Sequence, residues 1–200
     1  MEVKKTQAQR SAATQAALLA AARPLFAEHG YAAISTDQIA RAAGVTRGAL
    51  YHQFSGKEEL FAAVVEQIEA EIAARIGAHI AAVAPTDTEA LLGANIDAFL
   101  AACAEPEVHR IALIEAPAAL GWERWRAICF RHGVGNAEKV LQGLIDAGLI
   151  AEQPVRPLAH VVAGAIDEAA LYASRAEDRD VATKEAREAV LALVTGLLKR

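Results

Sequence analysis

The chain has 200 residues, 54% of them hydrophobic and 5% aromatic, and a formal net charge of −5. Its length suits one large domain or a small domain joined to a larger one, and its abundant Ala and Leu, without a β-branched run, point to an all-α fold. Cys103 and Cys129 lie far apart and form no C-x-x-C pair, which excludes a disulfide framework, and no apolar run approaches the roughly 20 residues of a membrane span.

The charge is divided unevenly. Residues 1–57 hold seven Lys/Arg against Glu2, Glu28 and Asp37, a balance of +4, so the remainder carries −9. A basic head on an acidic body concentrates attraction for phosphate at the N-terminal end. Residues 1–10 read as a disordered basic arm. A first helix runs from near Ser11 to His29, burying Leu18, Ala22, Leu25 and Phe26, bending at Pro24 and stopping before Gly30.

Ser35 and Gln38 have the S-x-x-Q spacing of a capping box, so a second helix starts at Thr36, with Ile39, Ala40 and Ala43 on its buried side. Gly44 permits the positive backbone angle that ends a helix. Thr46 caps the next helix, whose Leu50 and Phe54 share an apolar face at i, i+4. Arg47, Gly48, Tyr51 and His52 are left facing elsewhere. Two short helices joined this way form a helix-turn-helix, which sets the start of its second helix in the major groove.

Ser55-Gly-Lys-Glu58 has the spacing of another capping box, opening a long helix 4 that reaches Val83. Leu60, Phe61 and Val64 pack under the first helix, and Ile68, Ile72 and Ile76 continue along the shaft. Pro85-Thr-Asp-Thr88 breaks the chain before a helix over about 88–103; Glu105-Pro106 restarts it and Pro117 to Gly121 interrupts it again. Residues 122–149 read as one long helix disturbed at Gly133 and Gly135, and Gln153-Pro-Val-Arg-Pro157 as a loop. Final helices over about 158–176 and 183–199 flank the charged turn 175–180. The division is thus 1–57, arm and DNA-binding helix-turn-helix, and 58–200, a helical body.

Three segments sharpen this reading: Ala27-Glu-His-Gly-Tyr31, Gln38-Ile-Ala-Arg-Ala-Ala-Gly-Val-Thr-Arg-Gly-Ala-Leu-Tyr51 and Phe54-Ser-Gly-Lys-Glu-Glu-Leu-Phe61. In order and spacing, over roughly residues 14–65, they resemble the N-terminal domain of TetR-type transcriptional regulators. The resemblance implies an all-α protein whose helix-turn-helix domain is joined by helix 4 to a helical ligand-binding and dimerisation domain. It implies phosphate contacts from Thr36, Tyr51 and Lys57, and groove contacts from Thr46, Arg47 and Gly48. Arg47 can donate two parallel bonds to guanine, Gly48 allows close backbone approach, Ala49 suits a thymine methyl and His52 suits a phosphate. Gln53 departs from the commoner His of the family pattern.

The body matches that family only in character. The helix over about 158–176 offers Leu158, Val162, Ala165, Ile166 and Ala169, and that over about 183–199 offers Val190, Leu193, Val194 and Leu197; as the resemblance implies, these build an intermolecular four-helix bundle. Candidate pocket residues are Phe99, Cys103, His109, Leu113, Trp122, Trp125, Ile128, His160, Asp167 and Tyr172. The expected partners are a palindromic duplex, a second copy of the chain and a small-molecule effector, with no membrane, metal or cofactor, in the cytoplasm. An enzyme is disfavoured because no P-loop, H-E-x-x-H or G-x-S-x-G stands in the sequence. A helical interaction module without DNA activity is the other reading; it leaves the basic head unexplained.

Overall fold

A computed structural model describes residues 6–83 and 87–199. Among the described residues the chain is helical throughout, and its one β pairing is an isolated antiparallel bridge between Ile150 and Leu198. Helix α1, Gln7–His29, starts ahead of Ser11 because Thr6 and Gln9 form a reciprocal capping box, with bonds of 3.3 and 2.8 Å. The arm reading therefore fails for residues 6–10, and residues 1–5 lie outside the described ones. Pro24 sits within α1, leaving the Ala20 carbonyl without its intrahelical donor.

Helices α2, Thr36–Ala42, and α3, Arg47–Gln53, fall where the sequence predicts. Ser35 and Gln38 form their capping box, Gly44 has φ +67°, and Thr46 Oγ1 accepts from Ala49 N at 3.1 Å. Helix α4, Lys57–Ala81, stops short of Val83, and the predicted Ser55–Glu58 box does not form. Gly56 is its N-cap, with no side-chain cap. Glu58 and Glu59 instead accept from Arg124 at 2.8 and 2.6 Å. The buried face of α4, from Leu60 and Phe61 through Val65 and Ile68 to Ile76, runs through both parts of the molecule.

Helix α5 spans Thr88–Ala104, capped by Asp87. Helix α6 covers residues 106–120 and passes through a π-helical stretch, His109–Glu115. Pro117 does not interrupt it, since the wide turn just before absorbs the missing N–H; the break comes at Gly121. Helix α7, residues 122–146, likewise runs through Gly133 and Gly135 by a π stretch, Phe130–Val134. A Cβ on Gly135 would lie 2.7 Å from the Phe130 carbonyl oxygen, so a side chain there opposes this turn. The helix ends at Asp146 rather than Leu149.

Helix α8, Val155–Arg175, takes in part of the predicted loop, because Pro157 in its first turn displaces no hydrogen bond. Helix α9, Arg179–Thr195, starts four residues ahead of the expected 183, where Asp178 accepts from Val181 N at 3.0 Å.

The end of α1 is closed by α6. Arg110 Nη1 donates to the carbonyls of Ala27 and Glu28, at 3.1 and 2.8 Å, and Glu115 accepts from Tyr31 N and from Arg110 Nε. Arg23 adds a fork to Glu71 of α4, at 2.6 and 2.8 Å, and another to Glu107 of α6, at 2.8 and 3.0 Å. Gly30 lies within this joint at φ +84°, ψ 161°, a region only glycine occupies readily, and a Cβ there would stand 2.5 Å from Glu115 Oε1. Gly30→Ala is therefore expected to cost about 1–3 kcal/mol, read as an earlier denaturation midpoint at unchanged m-value; an unshifted midpoint would contradict the assignment.

Candidate nucleic-acid interface and internal cavity

Burial of Leu50 and Phe54 against the α1 core fixes which side of α3 meets solvent. Thr46, Arg47, Gly48, Tyr51 and His52 are exposed, while Thr36 and Ala49 are partly covered. Arg47 donates to Asp37 of α2 at 3.3 Å, and its guanidinium carbon lies 5.5 Å from the centre of the Tyr51 ring. The Tyr51 hydroxyl stands 3.2 Å from Thr36 Oγ1, and this hydrogen bond, with one from Arg47, holds the phenol below its usual pKa. Exposed donors from α2 and α3 thus form one continuous patch.

Lys57 is half-buried: its Nζ donates to the Tyr31 carbonyl at 2.9 Å and sits 4.2 Å above the Tyr31 ring. An ammonium has three donors, so this arrangement aims the group and leaves it able to bond a phosphate. Gln53 is committed elsewhere, its amide donating to Ser11 of α1 at 3.0 Å.

A cavity of about 80 Å³ lies between α4, α5, α6, α7 and α8. Ile72, Ile76, Phe99, Leu113, Val134 and Ile166 give it an apolar wall; Glu69, Arg126, Cys129 and Asp167 bring polar groups to the same space. Arg126 Nη1 donates to Asp167 Oδ2 at 2.7 Å. Burial nevertheless pushes the Asp167 carboxyl up, against the pull of Arg126. Glu69 accepts only from the Cys129 thiol, at 3.6 Å. Its carboxyl is pushed up to about 7 by burial, and the neighbouring Asp167 charge adds to the rise. Burial also pushes the thiols of Cys103 and Cys129 well up, so both stay protonated.

Two family models cover most of this architecture. Residues 18–64 match "Bacterial regulatory proteins, tetR family", and residues 88–197 match "Tetracyclin repressor-like, C-terminal domain". The chain belongs to the TetR family. A solved TetR-family transcriptional regulator from Pectobacterium atrosepticum is 37% identical, with a TM-score of 0.79, over 98% of this chain and 99% of that one. The Transposon Tn10 TetC protein of Escherichia coli is 29% identical over 150 residues, 73% of each chain. The HTH-type transcriptional regulator CymR of Pseudomonas putida is 40% identical over 84 residues, 42% of this chain and 41% of that one. This TetR-family member is a DNA-binding transcriptional regulator with an N-terminal helix-turn-helix and a C-terminal helical domain.

Within the regulator, Phe99, Cys103, Leu113, Trp125 and Asp167 of the predicted pocket line the cavity, and the other five do not. Ile128 is core, and Trp122 is 65% exposed, so the Trp122–Trp125 pair is half surface. His160 stacks on Phe130 at 5.7 Å. His109 faces a separate cleft between α5, α8 and α9, and Tyr172 a groove on the α8–α9 surface. Sequence reasoning missed Glu69, Arg126 and Cys129. For Glu69 a signal exists: it falls i+4 from Val65 and i−3 from Ile72, on the apolar stripe of α4.

Glu69 also sets a pH dependence. Its folded pKa lies above the ordinary 4.5, so the folded chain holds a proton that the unfolded chain has lost. The stability this gives is complete below about pH 4.5 and lost as pH climbs through 7, about 3 kcal/mol in all. Between pH 5 and 8 the parent chain should lose most of that stability relative to Glu69→Gln, measured by urea unfolding; parallel pH profiles would overturn the burial argument.

Proposed function

We propose that this regulator is a cytoplasmic homodimeric repressor that reads a palindromic operator and lets go when a small molecule fills the cavity. The observation that carries the reading is the exposed patch of α2 and α3. There Arg47, the only long cation at the start of α3, is steered by Asp37 and Tyr51. Arg47 can exchange its weak bond to Asp37 for two parallel bonds to guanine, worth about 1–3 kcal/mol of base discrimination. Thr46 and Gly48 bring the α3 backbone to the groove, Ala49 meets a thymine methyl, and Thr36, Tyr51, His52 and Lys57 hold phosphates.

One such module makes too few contacts for a selective site, and a two-fold dimer doubles them. The surface that supports a partner is the α8–α9 groove, where Tyr172 and Leu193 are 54% and 49% exposed, with Val161, 64% exposed, one turn ahead of its Ala165. Val162, Ala169, Val190 and Val194 are already buried in their own chain. The partner therefore meets the ridge beside them, with Leu158, Ala165 and Leu197 at its margin, while Ile166, expected at the interface, turns to the cavity instead. An effector that binds one spacing of the two heads better than another shifts the population, and operator affinity falls by the same coupling factor.

Arg47→Ala is expected to weaken a selected operator at least tenfold while leaving random-duplex binding nearly unchanged. Lys57→Ala should weaken both and shallow the salt dependence by about one unit of slope. Mobility shifts in graded salt measure both; equal loss on operator and random duplex for Arg47→Ala would contradict base reading. Leu193→Arg should give a monomer by light scattering and lose operator binding, and a dimer of parent affinity would remove α8–α9 as the interface.

A further inference from the structure

The cavity is unfinished in one specific way. Glu69 is 9% exposed, lines the cavity and has a thiol as its only hydrogen-bond partner. A thiol is a weak donor and carries no charge. The one guanidinium nearby, Arg126, is bonded to Asp167. A buried carboxylate without a cation is costly, and such a group persists where a ligand completes it.

Resting on the reading of this cavity as the effector site, we propose that its ligand is a small protonated amine, the ammonium against Glu69 and a compact alkyl body against the apolar wall. Charge decides the class. Of the groups facing Glu69, α4 adds Glu66, α5 adds the Cys103 thiol, α7 adds Arg126, Cys129 and His132, and α8 adds Asp167. The α6 residues on the cavity, Ala112 and Leu113, are apolar. Glu66 is already answered, accepting from Arg131 at 2.9 and 2.8 Å and standing 3.3 Å from His132 Nε2. With Arg126 and Asp167 cancelling, Glu69 remains as an uncompensated acid. An ammonium supplies both the donor and the charge. An alcohol supplies a donor without the charge, and a carboxylate brings a further negative charge into low dielectric. Size is set by the same space: at about 80 Å³ the cavity is smaller than the 150 Å³ that holds benzene in an engineered protein core, so four- or five-atom bodies enter before any wall must move.

Ammonium binding requires Glu69 to give up its proton to solvent, and the amine, with an ordinary pKa above 10, keeps its own. Affinity should therefore rise with pH, about tenfold between pH 6 and 8 for a carboxyl half-titrated near 7. The test is calorimetric titration of the full-length dimer with n-butylamine, 1-butanol and butyrate at both pH values, in parallel with release of a bound operator duplex. The proposal expects the amine to bind at least tenfold tighter than the alcohol, to tighten with pH, to release the duplex, and to lose its advantage in Glu69→Gln. The first two comparisons need no variant, so a Glu69→Gln chain that fails to fold does not blunt them. Equal or tighter binding of 1-butanol or butyrate, with duplex release, overturns the amine assignment and leaves the effector cavity standing. Binding by none of the three, or amine binding without release, overturns both.

Discussion

The grip of α6 on the end of α1 is the contact on which the rest of the molecule depends. A helix end leaves its last carbonyls without partners, and here a guanidinium from the other domain supplies them. Arg110 closes the Ala27 and Glu28 carbonyls while Glu115 takes the Tyr31 amide, so the segment leading from α1 to α2 is held by a single turn of α6. Tyr31 in turn packs on Phe26 and Phe61 and receives Lys57 on its ring. The reading head is thus seated on the body by hydrogen bonds with little freedom of angle, alongside the apolar packing of α4 under α1.

That turn of α6 also faces the cavity. Ala112 and Leu113 line it, and Arg110 and Glu115 lie on either side of them in sequence, within one π-helical stretch. A π turn is a strained, one-residue widening whose alternative is the ordinary α register. The cavity wall and the α1 clamp therefore share one element. Helix α4, lined by Glu69 and Ile72 at the cavity and by Phe61 under α1, gives a second, stiffer connection.

What the amino-acid sequence reveals follows from how local each device is. The Ser35–Gln38 box, Gly44 and the Leu50–Phe54 pair act within a turn of themselves, so the helix-turn-helix and its exposed face were legible. Thr6 and Gln9 have the same spacing as Ser35 and Gln38, yet the basic residues around them read as an arm. Ser55 and Glu58 show the opposite error: the spacing is right, but Arg124, distant in sequence, takes the Glu58 carboxylate. Neither π stretch has a residue signature, because a widened turn is chosen by packing from both sides. The pocket was half legible for a related reason. Apolar stripes on α4, α7 and α8 can be read by period, but whether Trp122 or Trp125 turns inward depends on a neighbouring helix, as does burial of Val162 and Val194 within one chain.

The central claim is that two α3 faces, carried by one rigid dimer, sit in successive major grooves of one duplex. Hydroxyl-radical footprinting of the purified chain on a duplex selected from genomic fragments measures this directly. The account predicts two protected patches on one side of the helix, their centres about one turn or a small multiple of a turn apart and related by a two-fold axis. A single asymmetric patch, or uniform protection without sequence boundaries, would contradict it.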